Sequence, residues 1–353
     1  MKIAFGVCSL GIGHATRSMP LIRALIDEGH EIVIVSHDRA LSLLKREFPE
    51  LKFYDVPDYP IRYTQKAHQF FPYMLLNTRK ILKTLFDMHK LFLKIDEREN
   101  FDIIISDSRY DIFNRFKPSY LIIHQLRIMM KAAILRGGIM IYNSYMSKFF
   151  NKIIVPDFRE NGLTGEMSHN LKFIDTRKIE YIGVLSPFKN LGLNRDIDLL
   201  ISITGPEPQR SIFEEKVMSS LDEVNGKIVI TLGRPEREEI KRENVEIYSY
   251  LPSNKREEIM NRSKLIISRS GYSTIMDLYV IGGKAMFVPT PGQPEQRYLA
   301  KYLESKKIAG YVEQDEFNLK KLILESKKYM GFKGDYDTSK SMENFLRVIK
   351  DGY

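Results

Sequence analysis

A histidine follows a glycine-rich turn near the start of the chain, in the stretch GIGHATR. Gly11 and Gly13 free the backbone for a tight turn from a strand into a helix, and His14 would stand at the start of that helix. An imidazole changes its charge near neutral pH, so His14 could take a proton from an attacking hydroxyl group. It could instead contact a phosphate group or simply cap the helix.

A second polar cluster lies in the other half of the chain, in the stretch SRSGYSTIMD. The residues that would begin the helix after a buried strand are Ser270, Gly271, Ser273 and Thr274. The free N–H groups and the dipole of a helix N-terminus favour an anion such as a phosphate. About one turn later, Asp277 could accept both hydroxyl groups of a ribose. The hydroxyl side chains alone would equally fit an ordinary helix cap.

The next loop along the chain, PTPGQPEQ, brings Glu295 and Gln296 to the same predicted edge of the sheet. Such a polar pair could hold the hydroxyl groups of a sugar. A phosphate site, an acid that reads ribose and a polar pair for a sugar are together the parts of a nucleotide-sugar site.

A third cluster follows two strands of the first half, in FDIIISDSRYDIFNRFKPSYLIIHQ. Asp107 and Arg109 follow one strand and His124 follows the next, so they should reach the same edge of the sheet. Asp107 is a second candidate base, or a partner that orients the histidine of the first turn. Arg109 and His124, together with Arg17, would lie on the acceptor side and could hold a phosphate. A helix cap at Asp107 and a buried, hydrogen-bonded His124 are the alternatives.

Short apolar strands alternate with helical patterns along almost the whole chain, which predicts an α/β fold of doubly wound, Rossmann-like domains. A chain of 353 residues is long enough for two such domains. We place an acceptor-side domain at 1–180 and a nucleotide-sugar domain at 181–335. A final helix within 336–353 could pack back on the first domain. Two domains that face each other would form a cleft at the carboxyl ends of their strands.

With this order of motifs, the chain resembles the GT-B glycosyltransferases, and among them the family 28 group with its lipid-linked acceptors. The resemblance is best from SYLPSNKREEIMNRSKLIISRSGYSTIMDL to EQRYLA, and returns more weakly at GIGHATRSMPLIRAL. It implies that Asp277 binds the ribose and that Glu295 and Gln296 touch the donor sugar. The backbone of Leu251 would form hydrogen bonds to uracil, and Gly13 would also bind the donor.

The chain departs from the family pattern at some of these positions. The family has glutamate where this chain has Asp277, and glutamine where it has Glu295, so the identity of the sugar is open. The first loop of the second half reads TGPEPQRS instead of a small glycine-serine turn. Gly205 keeps the turn, while Arg210 could donate to a diphosphate or could simply begin the next helix.

The resemblance implies an inverting transfer of a hexose or an N-acetylhexosamine from a UDP-sugar to a hydroxyl or phosphate-bearing acceptor, for cell-envelope or surface glycans. His14 or Asp107 would remove the acceptor's proton. Helix N–H groups can stabilise the charge of a leaving diphosphate. We therefore expect no metal ion, and no cofactor besides the donor substrate itself.

The net charge of +9 is concentrated in an aromatic and basic stretch at 62–94. Its basic residues, opposed only by Asp87, are Arg62, Lys66, Arg79, Lys80, Lys83, Lys90 and Lys94. The pattern suits an anionic membrane surface or a lipid-linked acceptor, and equally a plain solvated helix. No nucleic-acid module accompanies it, and no run of residues is long enough to span a bilayer. The single cysteine, Cys8, fits a cytoplasmic protein, either free or peripheral at the inner face of the membrane.

Two other enzyme classes and a binding protein compete with this prediction. The pattern G-x-G-H-x-x-R also resembles the nucleotide-sugar hydrolases of the pseudaminic acid pathway, in which the histidine acts on water. A non-catalytic relative that binds a sugar nucleotide would keep the same residues. A dinucleotide oxidoreductase is disfavoured because Thr16 stands where its third glycine belongs.

Overall fold

The computed structural model describes residues 1–58, 67–129, 133–234, 239–242 and 244–352. For 67–75, 133–135 and 239–242 only the backbone is described. The chain divides into two compact units. The first unit comprises Met1–Arg62, Phe71–Pro187 and Thr338–Tyr353, and the second comprises Tyr63–Phe70 and Phe188–Asp337.

The first unit is built on a parallel sheet with the order β3-β2-β1-β4-β5-β6-β7. Its strands are β1 (Lys2–Val7), β2 (Glu31–Ser36), β3 (Lys52–Asp55), β4 (Ile103–Asp107), β5 (Ser119–Ile122), β6 (Lys152–Val155) and β7 (Ile179–Tyr181). The central strands are continuous apolar runs such as KIAFGV and are buried along nearly their whole length. That pattern is typical of parallel strands with helices on both faces.

Four helices connect these strands. They are α1 (Ile12–Asp27), α2 (Asp38–Glu47), α3 (Ala67–Glu99) and α4 (Ala133–Ser147). Helix α1 begins after Gly11, whose φ of 145° is readily adopted only by glycine, and Gly29 at φ 80° follows its end. In the parts of the chain that the structure describes, no helix combines the length and the apolar run that a bilayer crossing needs.

The second unit is also built on a seven-stranded sheet, with the strand order β10-β11-β9-β8-β12-β13-β14. Its strands are β8 (Ile197–Ser202), β9 (Ile228–Thr231), β10 (Glu239–Arg242), β11 (Val245–Tyr248), β12 (Ser263–Ser268), β13 (Ala285–Phe287) and β14 (Gly310–Tyr311). Only the edge pair β10 and β11 is antiparallel among the described strand pairs. Its helices are α5 (Gln209–Met218), α6 (Ser253–Arg262), α7 (Tyr272–Ile281), α8 (Pro294–Ser305) and α9 (Leu319–Glu325).

The strand order of each sheet reverses at its middle, between β1 and β4 and between β8 and β12. In doubly wound sheets, ligands bind outside the carboxyl ends of the strands at this point. The predicted α/β class with two doubly wound domains is confirmed. The polar clusters that follow β1, β4, β8 and β12 lie at such a reversal, whereas His124 follows β5, and Glu295 and Gln296 follow β13, one strand further along each sheet.

The first unit extends beyond the boundary that the sequence suggested at residue 180. The strand β7 pairs with β6, and the backbone N–H of Ile182 still donates to Val155. The last helix, α10 (Ser339–Lys350), completes this unit. Ser341 Oγ donates to the carbonyl of Val184 at 2.7 Å, and Lys350 forms an ion pair with Glu28 at the end of α1.

Candidate active site

In the first unit, the histidine of the glycine-rich turn pairs with a buried carboxylate. His14 lies in the first turn of α1, and its Nδ1 atom is 2.9 Å from Oδ1 of Asp107, the last residue of β4. A carboxylate can only accept a hydrogen bond, so Nδ1 carries the hydrogen and Nε2 keeps its lone pair. The His14 side chain is 21% exposed, whereas Asp107 is fully buried. This arrangement orients an imidazole as a base.

Asp107 itself is held in its charged form. Arg17 Nε donates to its Oδ2 at 2.7 Å, Arg17 Nη2 donates to Oδ1, and Ser18 Oγ donates at 2.9 Å. Burial opposes ionisation, but the charges of Arg17 and His14 and their hydrogen bonds outweigh it and hold the pKa of Asp107 well below its ordinary value. A carboxylate with so low a proton affinity is a poor base. Of its two predicted roles, the geometry therefore favours the orienting one.

Two of the residues predicted for the acceptor side join this cluster. Arg17 Nη1 lies 2.8 Å from Nδ1 of His124, which must accept because a guanidinium has no acceptor. Both side chains are buried. Arg17 therefore ties β4 and the loop after β5 to α1. Its guanidinium forms hydrogen bonds to side chains inside the protein, which leaves fewer of its donors for an acceptor phosphate.

Arg109 does not join the cluster, although it lies only two residues beyond Asp107. Its guanidinium is fully buried and donates to both oxygens of Asp111, at 2.8 and 2.6 Å, and to the carbonyls of Val56 and Pro57. This ion pair already neutralises the charge of Arg109 inside the fold, which argues against its predicted role in holding an acceptor phosphate.

In the second unit, the N-terminus of α7 forms an open backbone surface. Gly271 is the cap residue, and a Cβ added there would meet no atom within 4 Å. Ser270 is buried and donates its hydroxyl to the carbonyl of Gln296 at 2.8 Å, while Ser273 and Thr274 are half-buried in the first turn. A phosphate could therefore approach the free N–H groups of this turn closely.

The loop after β13 is held by its own side chains. Gln296 accepts from the backbone N–H of Thr290 at 2.9 Å and donates from Nε2 to Gln293. Both ends of the Gln296 amide therefore form hydrogen bonds that hold the loop in shape, in addition to any contact with a sugar. Glu295 is half-buried in the first turn of α8, directly after Pro294.

The acid predicted to read ribose has an arginine partner. Asp277 is buried, and its Oδ2 accepts from Arg256 Nη2 at 3.0 Å. The same guanidinium lies 5.1 Å from the ring centre of Phe188. Arg256 also lines a small recess, whose other walls include Leu251, Thr274, Ser202, Thr231 and Met260. The structure thus brings Leu251, Thr274 and Arg256, the partner of Asp277, around one small recess.

Two further predicted donor-site residues, Gly205 and Arg210, lie in the loop after β8 and at the start of α5. Gly205 has a φ of 119°, which favours glycine, and a Cβ there would lie 3.5 Å from Thr290 Oγ1. Arg210 instead donates to Glu207 at 2.6 Å and to Glu214 at 2.7 Å. Two carboxylates neutralise its charge, which favours the alternative in which Arg210 belongs to the start of the helix over the one in which it donates to a diphosphate.

Several residues of this region carry no signal in the sequence. Arg256 lies in a polar helix 21 positions from its partner. Arg269, next to Ser270, is almost fully buried and donates to the carbonyls of two neighbouring loops. Within the described part of the chain, the buried hydroxyl of Thr290 has no hydrogen-bond partner. Burial and pairing of these side chains depend on contacts between distant segments.

Two family models match the chain, one in each half. The model "Glycosyl transferase family 1" matches residues 1–129, and the model "Glycosyltransferase family 28 C-terminal domain" matches residues 209–351. The chain is 24% identical over 227 residues to a UDP-N-acetylglucosamine--N-acetylmuramyl-(pentapeptide) pyrophosphoryl-undecaprenol N-acetylglucosamine transferase of Sulfurihydrogenibium sp. (strain YO3AOP1). That match covers 58% of this chain and 63%, less than two thirds, of the relative.

Two further proteins match over nearly the whole chain. An uncharacterized glycosyltransferase of Methanosarcina mazei is 24% identical and the match covers 93% of this chain and 91% of the relative. The solved structure of the spinosyn rhamnosyltransferase SpnG complexed with thymidine diphosphate has a TM-score of 0.62 at 14% identity, covering 99% and 92% of the two chains. Residues 209–351 thus match the C-terminal domain of the family 28 glycosyltransferases, residues 1–129 match a second glycosyltransferase family, and the two-domain fold is the one that GT-B glycosyltransferases have.

Proposed function

We propose that the protein transfers a hexose or N-acetylhexosamine from a UDP-sugar to a hydroxyl or phosphate-bearing acceptor with inversion at the anomeric carbon. The observation that carries the proposal is the pair of His14 and Asp107. Their hydrogen bond leaves Nε2 of the imidazole as a proton acceptor. The name of the Sulfurihydrogenibium relative, which includes UDP-N-acetylglucosamine, supports the choice of donor.

In this reaction, the second unit holds the donor. The diphosphate rests on the N–H groups at the start of α7, near Gly271, and the ribose binds Asp277. The base lies against the backbone of Leu251 in the recess. Because Arg256 pairs with Asp277, its guanidinium holds the carboxylate in a fixed orientation toward the ribose hydroxyls.

The first unit supplies the base. His14 Nε2 takes the proton of the acceptor hydroxyl as its oxygen forms a bond to the anomeric carbon from the face opposite the leaving group. The bond from that carbon to the diphosphate breaks, and UDP leaves with the electron pair. Helix N–H donors stabilise the growing charge on the diphosphate without a metal ion. Asp107 stabilises the imidazolium that forms.

The acceptor is proposed to be lipid-linked, at the cytoplasmic face of the membrane. Helix α3 exposes Leu82 and Phe86, which are 48% and 58% exposed, and its Lys90 Nζ lies 4.4 Å from the Phe86 ring centre. Arg79, Lys80 and Lys83 are exposed on the same helix. Exposed apolar and basic side chains together favour an anionic bilayer surface. Arg62 and Lys66, at the start of the predicted basic stretch, lie outside the described residues.

The donor and the acceptor can be tested in one assay. Purified protein is incubated with a panel of UDP-sugars, with and without a membrane lipid extract, and UDP release is measured. Release that requires lipid, is lost in His14→Ala and persists in EDTA supports the proposal. Release of equal rate without lipid points to a nucleotide-sugar hydrolase, and absence of release with every donor and acceptor contradicts the proposal.

Membrane binding has its own control. In sedimentation with vesicles of anionic phospholipid, the wild type should bind and the double variant Lys80→Glu/Lys83→Glu should remain in the supernatant. The matched double variant Lys320→Glu/Lys321→Glu, at exposed positions of α9, removes the same charge from the second unit. Equal loss of binding in both double variants would contradict a specific role of α3.

A further inference from the structure

Arg269 lies between the end of β12 and the start of α7, and it is one of the largest fully buried side chains of the described chain. Its guanidinium stacks over the ring of Phe213 at 4.5 Å. Its hydrogen bonds go to neutral acceptors: the carbonyls of Thr204, Gln209, Val288 and Pro289, and the side chain of Gln314. One cation thus ties four segments together: the loop after β8, the start of α5, the loop after β13 and the segment after β14.

The charge of Arg269 has no counter-ion among the residues that the structure describes. Each of its acceptors there is a carbonyl or an amide, unlike those of Arg109 and Arg210, whose partners include carboxylates. Burial lowers the pKa of Arg269 to about 9, so the group is still a cation at pH 7. A buried cation with only neutral partners projects its field further than one that is neutralised in an ion pair.

The field of this cation reaches the surface on which the diphosphate is proposed to rest. Arg269 directly precedes Ser270 and Gly271, which form the open turn at the N-terminus of α7. A Cβ placed on Gly205, in the loop after β8, would lie 3.8 Å from Arg269 Nε. The guanidinium therefore lies behind both backbone segments that face the proposed diphosphate, while its hydrogens are bonded to the protein.

We propose that Arg269 is a positioning residue for the donor: it fixes the loops around the diphosphate, and its uncompensated charge makes the site select a nucleoside diphosphate over the neutral nucleoside. This inference rests on the proposed donor site in the second unit. It adds a residue that acts on the donor through the backbone and through its electrostatic field, without direct contact.

The test compares the affinities for UDP and for uridine by calorimetry, in wild type and in Arg269→Met. The change should lower the preference for UDP by roughly tenfold or more, because it deletes a charge that lies behind the proposed diphosphate surface. Arg269→Lys keeps the charge and should keep most of the preference, although its shorter reach loosens the loops. If Arg269 had only a structural role, Arg269→Met would weaken the binding of UDP and of uridine by the same factor.

Arg195 provides a matched control. Within the described residues it too donates only to carbonyls, those of Ser263, Ile281 and Gly282, and burial lowers its pKa. Those partners lie at the amino end of β12 and after the C-terminus of α7, away from the proposed diphosphate. Arg195→Met should therefore leave the ratio of the two affinities unchanged.

The outcomes separate this inference from the proposed function. If the wild type binds neither ligand, the donor site itself is wrong. If it prefers UDP and a folded Arg269→Met variant, checked by circular dichroism, keeps that preference, the inference about Arg269 is wrong. Should the Met variant not fold, Arg269→Gln replaces it, since its amide still donates to a carbonyl without carrying charge. A folded Lys variant that loses the preference would also overturn the inference.

Discussion

For single residues, the chemistry proposed for the first unit depends on the hydrogen bonds that one buried carboxylate, that of Asp107, accepts from several side chains. Asp107 accepts from His14, Arg17 and Ser18, and these donors keep it ionised inside the fold. An ionised acceptor sets the tautomer of the imidazole, and the tautomer decides which nitrogen can act as a base.

The variant Asp107→Asn tests this dependence. The amide group of the introduced asparagine could donate to Nδ1 of His14, which would place the hydrogen on Nε2 and remove the base. We expect turnover to fall by about 10²- to 10⁴-fold, the usual contribution of general base catalysis, with a smaller change in KM. Ser18→Ala, which removes one of the hydrogen bonds to Asp107, is the control and should lose far less activity. Equal losses in the two variants would contradict the orienting role.

The hydroxyl of Thr290 gives a second prediction at this scale. It is buried with no partner among the described residues, a state that costs about 1–3 kcal/mol. Thr290→Val keeps the shape and should leave the thermal midpoint unchanged or raised, whereas binding of UDP-sugar should weaken if the hydroxyl serves the donor. Differential scanning fluorimetry with and without donor measures both effects. A lower midpoint in the absence of donor would show that the hydroxyl has a partner inside the protein.

At the scale of elements, the start of α7 joins local geometry to binding. Gly271 has φ −69° and ψ 142°, values open to any residue, and the space beside it is empty. Its glycine is therefore not required by the fold. The proposed donor site accounts for the absence of a side chain there, because a diphosphate could then approach the backbone closely.

This explanation predicts the effect of Gly271→Val. The variant should unfold at nearly the wild-type temperature, yet its affinity for UDP should fall by about tenfold or more, because a branched side chain would fill the space for the diphosphate. Gly205→Val is the contrasting variant, since its φ of 119° makes any side chain strained and the protein should lose stability as well. If the Gly271→Val variant bound UDP with unchanged affinity, the diphosphate would have to bind at another surface.

At the scale of the whole molecule, the chain returns to its first unit at the end. Helix α10 follows the last residue of the second unit, and its Phe345 and Ile349 are buried in the first. The first unit thus depends on a segment that residues 188–337 separate from the rest of it along the chain.

A truncation of this contact should destabilise the first unit. Phe345→Ala deletes a fully buried ring and should lower the free energy of unfolding by about 3–5 kcal/mol, measured by urea denaturation. Lys340→Ala, on the exposed side of the same helix, should change it by no more than about 0.5 kcal/mol. Similar values for the two variants would mean that α10 contributes little to the core.

The strands and helices, and the edge of the sheet to which each motif belongs, could be predicted from the amino-acid sequence. Apolar runs such as KIAFGV and FDIIIS can only be buried strands, and the glycine turn must follow the first of them. Since β1 and β4 are neighbours in a doubly wound sheet, the meeting of His14 and Asp107 could be expected from sequence. For the same reason, the position of the polar cluster at the start of α7 could be expected from the sequence.

Which polar side chains form ion pairs inside the protein could not be predicted without the three-dimensional fold. Arg109 and Arg210 look like ligands for a phosphate in the sequence, yet nearby carboxylates neutralise both of them. Arg269 carries no motif, yet it is the buried cation behind the proposed diphosphate. The physical reason is that strand and helix patterns repeat over a few residues, whereas the partner of a buried charge is fixed by three-dimensional packing of segments far apart in the chain.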